Sequence, residues 1–508
     1  MTPPRTPTGQ PTRPPMPEGW LRIMTVLLVP LFLSLMSVST VNVALPAIEE
    51  GLDASSADLQ WVLAGYTLAF GVVLVAAGRA GDLWGRKTFF IAGILVFTLG
   101  ALASGLAVSP LMLNLARLLT GIGSGLLNPQ IIGIIQTVFH GPARGRAYGM
   151  FGTVIGLGVA VGPLMGGVVI QTFGPEWGWR WTFLINVPIG LLAAFMAWRW
   201  LRRPVRDQSA EVTPRSLTAL DPMGALLLAA GVVCLMLPFM VPGTWYLMGA
   251  AVVILALWWW WESRLAGSAD PAHQPMVDPR LFRIPSFTFG TLEAGAFLAT
   301  MPGVWAVQAI FTQQGLGLSP LAAGLTTLPS AVLVAVLSPI VGSKVHRHGP
   351  VFVVVGAGFS LVSLVLAAVS FHQISAGAWP YWTLAASLGL LGVVQAFLLT
   401  STQVITMHDV PAQSAGAAGG ISQTAQRVLT AVGLAAVTGA YFAALSPEAV
   451  PGMTPPVPED TAVVHGQAAG VAMVVVGAFW GVMAVLAVID LLRRRRGGSL
   501  SLAGPGAH

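Results

Sequence analysis

The chain has 508 residues, of which 55% are hydrophobic and only 9% charged. A soluble domain carries about a quarter charged residues, so this composition excludes a water-soluble fold and leaves an integral membrane protein. The net charge of +6 is not a nucleic-acid footprint, because the basic residues sit in short breaks between apolar runs, where they set topology. A single cysteine, Cys234, rules out a disulfide within the chain.

In chain order, residues 1–20 are rich in Pro and Thr and are expected to be disordered and cytoplasmic. Apolar runs then predict transmembrane helices near 21–45, 60–79, 88–107, 110–138, 147–172 and 181–200. A polar stretch follows, then runs at 223–241 and 244–261, a second polar stretch, and runs at 286–312, 321–343, 350–371, 379–405, 416–444 and 468–492. About 20 residues span a hydrocarbon core at 1.5 Å per residue. Helices are required because lipid cannot satisfy an open backbone. The expected fold is all-α, with about 14 transmembrane helices. Two six-helix halves (21–200 and 286–492) flank a linker with an inserted two-helix hairpin (201–285), and 493–508 form a cytoplasmic tail.

Charge orients the spans. With the N-terminus inside, all but Arg117, Arg180 and Arg427 of the 25 lysines and arginines fall on the inner side. The outer segments carry Glu49, Glu50, Asp53, Asp58, Glu176, Glu448, Glu459 and Asp460. This bias predicts a multi-pass protein of the cell (inner) membrane with both termini cytoplasmic. Basic turns in corresponding places, Gly81 to Lys87 and Gly342 to Gly349, form a weak internal repeat. Paired halves around a midplane site are a transporter architecture.

The motifs carry a resemblance to a known family. Gly78-Arg79-Ala80-Gly81-Asp82-Leu83-Trp84-Gly85-Arg86-Lys87 resembles the loop 2–3 signature of the major facilitator superfamily. Arg117 with Gly121-Ile122-Gly123-Ser124-Gly125 resembles its span-4 arginine motif. Gly158 to Gly167 is similar to the span-5 motif of its antiporters. Trp179 to Gly190 and Val41 to Pro46 resemble the fourteen-span drug/proton antiporter branch. The resemblance covers residues 21 to 492. It implies a major facilitator fold and proton-coupled efflux of drugs or other small amphipathic compounds by alternating access. It further implies gating by Asp82, Arg86 and Lys87.

Individual residues sharpen this expectation. Arg117 lies about 10 Å into span 4 at 1.5 Å per residue, and an ionisable group at that depth is a functional candidate. Glu293 is the clear embedded carboxylate, and burial disfavours its charged form; Arg117 and Glu293 are the expected coupling residues. Ser37, Asn42, Gln308 and Arg427 are expected to line the substrate cavity, with Gln423 and Gln426 beside Arg427. Gly158, Gly162, Pro163, Gly166 and Gly167 form a close-packing surface. The chain departs from the branch at one point. Where many members carry a span-1 aspartate, this sequence has Ser37, which cannot carry the proton. Trp258 to Trp261 suit an interfacial aromatic belt.

His346 and His348 lack a ligand set for metal, and no phosphate-binding loop of the Gly-x-x-x-x-Gly-Lys-Ser/Thr kind occurs. The expected partners are therefore a small-molecule substrate, protons and the lipid bilayer. No metal, cofactor, nucleic acid or second copy is expected, and no enzymatic activity. Two alternatives stand beside an exporter. One is a uniporter or symporter of a small nutrient or metabolite, favoured by Ser37. The other is a transport-inactive membrane receptor or scaffold, which the intact motifs oppose.

Overall fold

The computed structural model describes residues 16–201, 220–239, 241, 243–267, 275–445 and 461–496. The expected disordered N-terminal segment, the polar stretches around the hairpin and the C-terminal tail lie largely outside the described residues. Every regular element among the described residues is helical: α1 (Trp20–Leu52), α2 (Ser56–Trp84), α3 (Arg86–Gly105), α4 (Pro110–Val138), α5 (Gly141–Leu184), α6 (Asn186–Trp200), α7 (Pro222–Met236), α8 (Leu247–Ala266), α9 (Pro285–Ile310), α10 (Pro320–Leu325), α11 (Leu328–Ser375), α12 (Thr383–Thr406), α13 (Ala415–Leu445) and α14 (Thr461–Arg496).

Local chemistry sets the helix starts. Ser55 accepts the Asp58 amide at 3.2 Å while the Asp58 carboxylate accepts the Ser55 amide at 3.0 Å. This capping box satisfies two donors that α2 would otherwise leave open, an effect of about 1 kcal/mol. Ser109 caps α4 ahead of Pro110, and Asp221 caps α7 ahead of Pro222. Proline at the first position has the helical φ already and lacks only an amide that no carbonyl could accept. One residue, Gly85 at φ 108°, makes the whole turn from α2 to α3; only glycine adopts that conformation without strain.

Eleven helical stretches among the described residues are long and apolar enough to cross a membrane. Outward-facing residues such as Leu95, Leu99 and Leu102 on α3 and Val474, Val482 and Val485 on α14 are exposed. So broad an apolar surface needs lipid to cover it, and the chain is an integral membrane protein. α8, with its run of tryptophans before Glu262 and Arg264, is not among the eleven. Within glycine-rich α5, Leu164–Gly174 is a shorter apolar stretch, and the end of α5 joins α6 in the candidate span Glu176–Trp200.

The expected break between spans at 344–349 is absent as a gap in helix, since α11 runs unbroken over 48 residues. Its packing nevertheless shows the chain turning back. Pro329 abuts Gly389, and Ser338 and Thr400 meet at Gly152, so the first part of α11 runs parallel to α12. Gly356 abuts Leu398 and the Ser363 hydroxyl donates to Ser387 O at 3.1 Å, so the second part runs antiparallel. The reversal lies near Pro350 and divides α11 into two antiparallel parts.

α1 and α3 to α6 pack around buried Leu27, Phe90, Phe97, Ile131 and Tyr148. α9 and α11 to α14 pack around Phe297, Phe371, Leu388, Val437 and Trp480. α7 and α8 lie together beside the seam of α2 and α13, through Leu228, Val232 and Trp258 against Leu68, Val75 and Ile421. Lipid tails are as apolar as these side chains, so close approach at small residues rather than hydrophobic burial holds such helices together. The ends of α2, α4, α9, α12 and α14 that carry or adjoin Arg86, Phe139, Pro285, Met407 and Arg494 share one side, called the basic face below.

Candidate functional site

Two sites join the bundles, one at the basic face and one near mid-depth. At the basic face the first turn of α13 presents backbone N–H groups that no helical carbonyl can accept. Asp82, at the end of α2, fills that role. Its carboxylate accepts the Gly416 amide at 3.2 Å and the Ala417 amide at 3.0 Å, where the helix dipole also favours a negative charge. Arg86, one turn on, pairs with the same carboxylate at 2.8 Å and donates to Gly133 O on α4 at 2.5 Å. Asp82 is 2% exposed at its side chain, so it is held between a cation of its own bundle and a helix end of the other.

Glycine makes this approach possible. A Cβ on Gly78 would collide with the backbone of Gly416, and one on Gly145 with that of Gly342. Gln136 adds a further tie, donating to Met407 O and to the Tyr148 hydroxyl, each at 3.2 Å. Sequence reasoning missed Gln136 and Gly416. The signal for Gln136 was a polar residue inside an apolar run.

Lys87 does not join the Asp82 cluster. Its ammonium donates to Trp198 O at 2.7 Å and to Leu201 O, at the C-terminus of α6, where a cation complements the dipole. The expected packing surface on α5 also divides. A Cβ on Gly158 would stand 2.8 Å from Leu35 Cβ, one on Gly162 would meet Ser39, and one on Gly166 would stand 3.0 Å from Thr40 Cγ2. These three face α1 in their own bundle. The Ser39 and Thr40 hydroxyls reinforce them by donating to Gly158 O and Gly162 O at 3.0 Å. Gly167 is corrected: a Cβ there meets nothing within 4 Å, because it lies off this stripe. The Pro163 side chain lies outside the described residues. Contact with the other bundle instead uses Gly145, Gly149 and Gly156, against Gly342, Ser338 and Val334 of α11.

Near mid-depth, Arg117 is 1% exposed. Its Nε donates to Val62 O at 3.0 Å and its Nη1 to the Ser37 hydroxyl at 3.1 Å, and the guanidinium lies 4.6 Å from the Tyr66 ring centre. The Tyr66 hydroxyl donates to Ser124 Oγ at 2.7 Å and sits 2.9 Å from Ser34 Oγ. Ser37 thus does stand beside Arg117, with a hydroxyl where an acid would neutralise the charge. Arg427 reaches from α13 to within 4.5 Å of the Phe70 ring centre. The Asn42 side chain lies outside the described residues.

Two expected residues sit elsewhere. Gln308 is buried, and its amide donates to Ala323 O at 3.0 Å and Thr326 Oγ1 at 2.8 Å, which ties α9 to α10. Glu293 is 1% exposed, with no hydrogen-bond partner for either carboxyl oxygen. Its charged neighbours are Asp490 and Arg494 of α14, so it belongs to the α9–α14 interface near the basic face. The structure does not bring it to Arg117.

Comparison with known proteins agrees with this architecture. The sequence pattern of the Major Facilitator Superfamily matches residues 27–434, and the chain belongs to that family. It is a membrane transporter and not an enzyme. It is 31% identical over 455 residues to a probable actinorhodin transporter of Streptomyces coelicolor, covering 86% of this chain and 75% of that one. It is 30% identical over 493 residues to a puromycin resistance protein of Streptomyces alboniger, covering 94% and 91%. Among solved structures, the proton:xylose symporter XylE aligns with a TM-score of 0.62 at 15% identity, covering 93% of this chain and 95% of that one; that likeness concerns the fold alone.

Proposed function

We propose that the chain exports small amphipathic compounds by alternating access, driven by protons moving inward. In this reading it spans the cell membrane fourteen times as a monomer, with the basic face in the cytoplasm. Residues 21–200 and 286–492 are the rocking halves, and α7 and α8 are a hairpin inserted between them. The observation that carries the reading is the Asp82 bridge from one bundle to the α13 N-terminus of the other. A helix end held by a single carboxylate is a contact that can break and re-form as a unit. Asp82 and Arg86 then act as the gate, with Lys87 fixing the adjoining end of α6.

The names of the two relatives, a probable actinorhodin transporter and a puromycin resistance protein, support export of bioactive small molecules. Arg117 and Glu293 are the coupling residues in this reading. Ser37, Asn42, Gln308 and Arg427 line or support the substrate path. Everted vesicles incubated with a panel of compounds, with and without a protonophore, test it. Accumulation that a protonophore abolishes is expected. Equal flux in both conditions would instead favour a uniporter, the reading that Ser37 beside Arg117 supports.

A further inference from the structure

The mid-depth site carries positive charge that no carboxylate among the described residues cancels. Every partner of Arg117 is neutral: a carbonyl, a hydroxyl and the rings of Tyr66 and Phe183, the latter at 5.8 Å. Arg427 is partly buried and has the Phe70 ring against it at 4.5 Å; among the described residues no carboxylate pairs with either arginine. Carbonyl dipoles and ring faces spread a cation's field but leave its net charge in place.

The two arginines belong to one construction. Tyr66 and Phe70 are one turn apart on α2 and stack with ring centres 6.1 Å apart. Arg117 from α4 covers the first ring and Arg427 from α13 covers the second, so the two cations come from opposite bundles. Phe70 lies about half-way along α2. One turn before Arg427, Gln423 is 8% exposed and its Nε2 has no acceptor. This buried donor sits one helical turn from Arg427 on α13. The embedded acids are engaged elsewhere, Asp82 with Arg86 and α13, Asp221 with Trp261, Glu262 with Trp258 and the Val277 amide, Asp490 with Arg493 and Arg494, and Glu293 towards α14.

We propose that Arg117, Arg427 and Gln423 form a binding site for an organic anion, a carboxylate, phenolate or sulfonate on an apolar body. The proposal rests on the transporter reading above and names its substrate class. A low-dielectric setting strengthens attraction to an anion and repulsion of a cation alike, so the same two arginines select for one and against the other. Guanidinium groups suit this role because they present several donors in a plane that matches a carboxylate. An anion held by one arginine from each bundle also draws the bundles together, which couples occupancy to closure.

A pair of near-isosteric ions of opposite charge tests this. The full chain in nanodiscs is dialysed against tetraphenylborate or tetraphenylphosphonium, with protein-free nanodiscs as the blank. Saturable binding of tetraphenylborate alone is expected. Arg427→Gln is expected to weaken it about 30-fold, as loss of one buried charge partner does, and Arg427→Lys to restore most of it. Arg117→Gln should behave like Arg427→Gln; if it elutes as aggregate on gel filtration, Arg427→Gln carries the result. Saturable tetraphenylphosphonium binding as tight as that of the borate, or unchanged borate binding in Arg427→Gln, overturns the proposal. Gradient-driven flux in proteoliposomes is read separately. Anion binding without any flux leaves the anion site standing and removes the transporter reading, and flux of cations without anion binding does the reverse.

Discussion

Asp82 on α2 and Ala417 on α13 lie 335 positions apart in sequence, yet the carboxylate of one accepts the backbone amide of the other at 3.0 Å. This bond closes the basic face with a single charged group. Replacing Asp82 with Asn removes the charge from the helix end and from Arg86 while keeping the size. A charge at a partly buried helix terminus is worth up to about 2 kcal/mol. Export by Asp82→Asn should therefore fall about 10-fold or more, with protein in the membrane unchanged on an immunoblot. Wild-type export rates would show the contact to be incidental.

Glycines on two sides of α5 should respond differently from Gly167. Gly149→Val places a side chain against Ser338 O and Pro339, where backbone stands about 3 Å away. It should hold the basic face apart and abolish export, with cysteine probes at that face becoming more reactive. Gly167→Ala enters open space and should leave export within about twofold, since substitutions away from such contacts have small effects. A severe Gly167→Ala defect would mean that this face docks something beyond the present contacts.

Ser37 offers a gain-of-charge experiment. Ser37→Asp puts a carboxylate within reach of Arg117, whose Nη1 is 3.1 Å from the native hydroxyl, and pairs a cation that now stands alone. Competition assays should then show weaker inhibition of transport by anions and stronger inhibition by lipophilic cations. Ser37→Ala removes one neutral bond to a charged group, worth about 1.5–3 kcal/mol, and should lower export without altering this charge preference. An unchanged inhibitor profile in Ser37→Asp would separate Arg117 from substrate choice.

Glu293→Gln tests the coupling role directly. Gln keeps the shape of the protonated acid but cannot release a proton. Everted vesicles carrying it should still move substrate down its concentration gradient while losing acceleration by an imposed pH gradient. Full retention of that acceleration would leave Glu293 as a packing residue between α9 and α14.

The all-helical membrane character and the Asp82–Arg86 pair were legible because each depends on local composition or short spacing. The directions in which side chains point were not. Gly166 and Gly167 look equivalent in sequence, yet one meets Thr40 and the other open space. Glu293 is embedded as its neighbours suggest, but it turns towards α14. A membrane helix is apolar almost all round, so the polar-to-apolar contrast that orients a surface helix in water is missing. Rotation is then set by shape contacts between distant segments. For the same reason Gln308 was recognisable as a polar group in span 9, while its tie to α10 was not. The chain reversal inside α11 was expected from the basic turn between the runs 321–343 and 350–371; what the sequence did not show is that the helix continues through it, so that the packing against α12 marks the turn.

α5 is gripped along Gly158, Gly162 and Gly166 by α1, where hydroxyl bonds fix it, and touches α11 along Gly145, Gly149 and Gly156. The second contact is made largely of backbone, with few side chains to interlock. Surfaces of that kind act as a bearing. They can part and meet again without re-sorting rotamers, so α5 stays keyed to its own bundle while the opposite bundle rolls across it at little cost in friction.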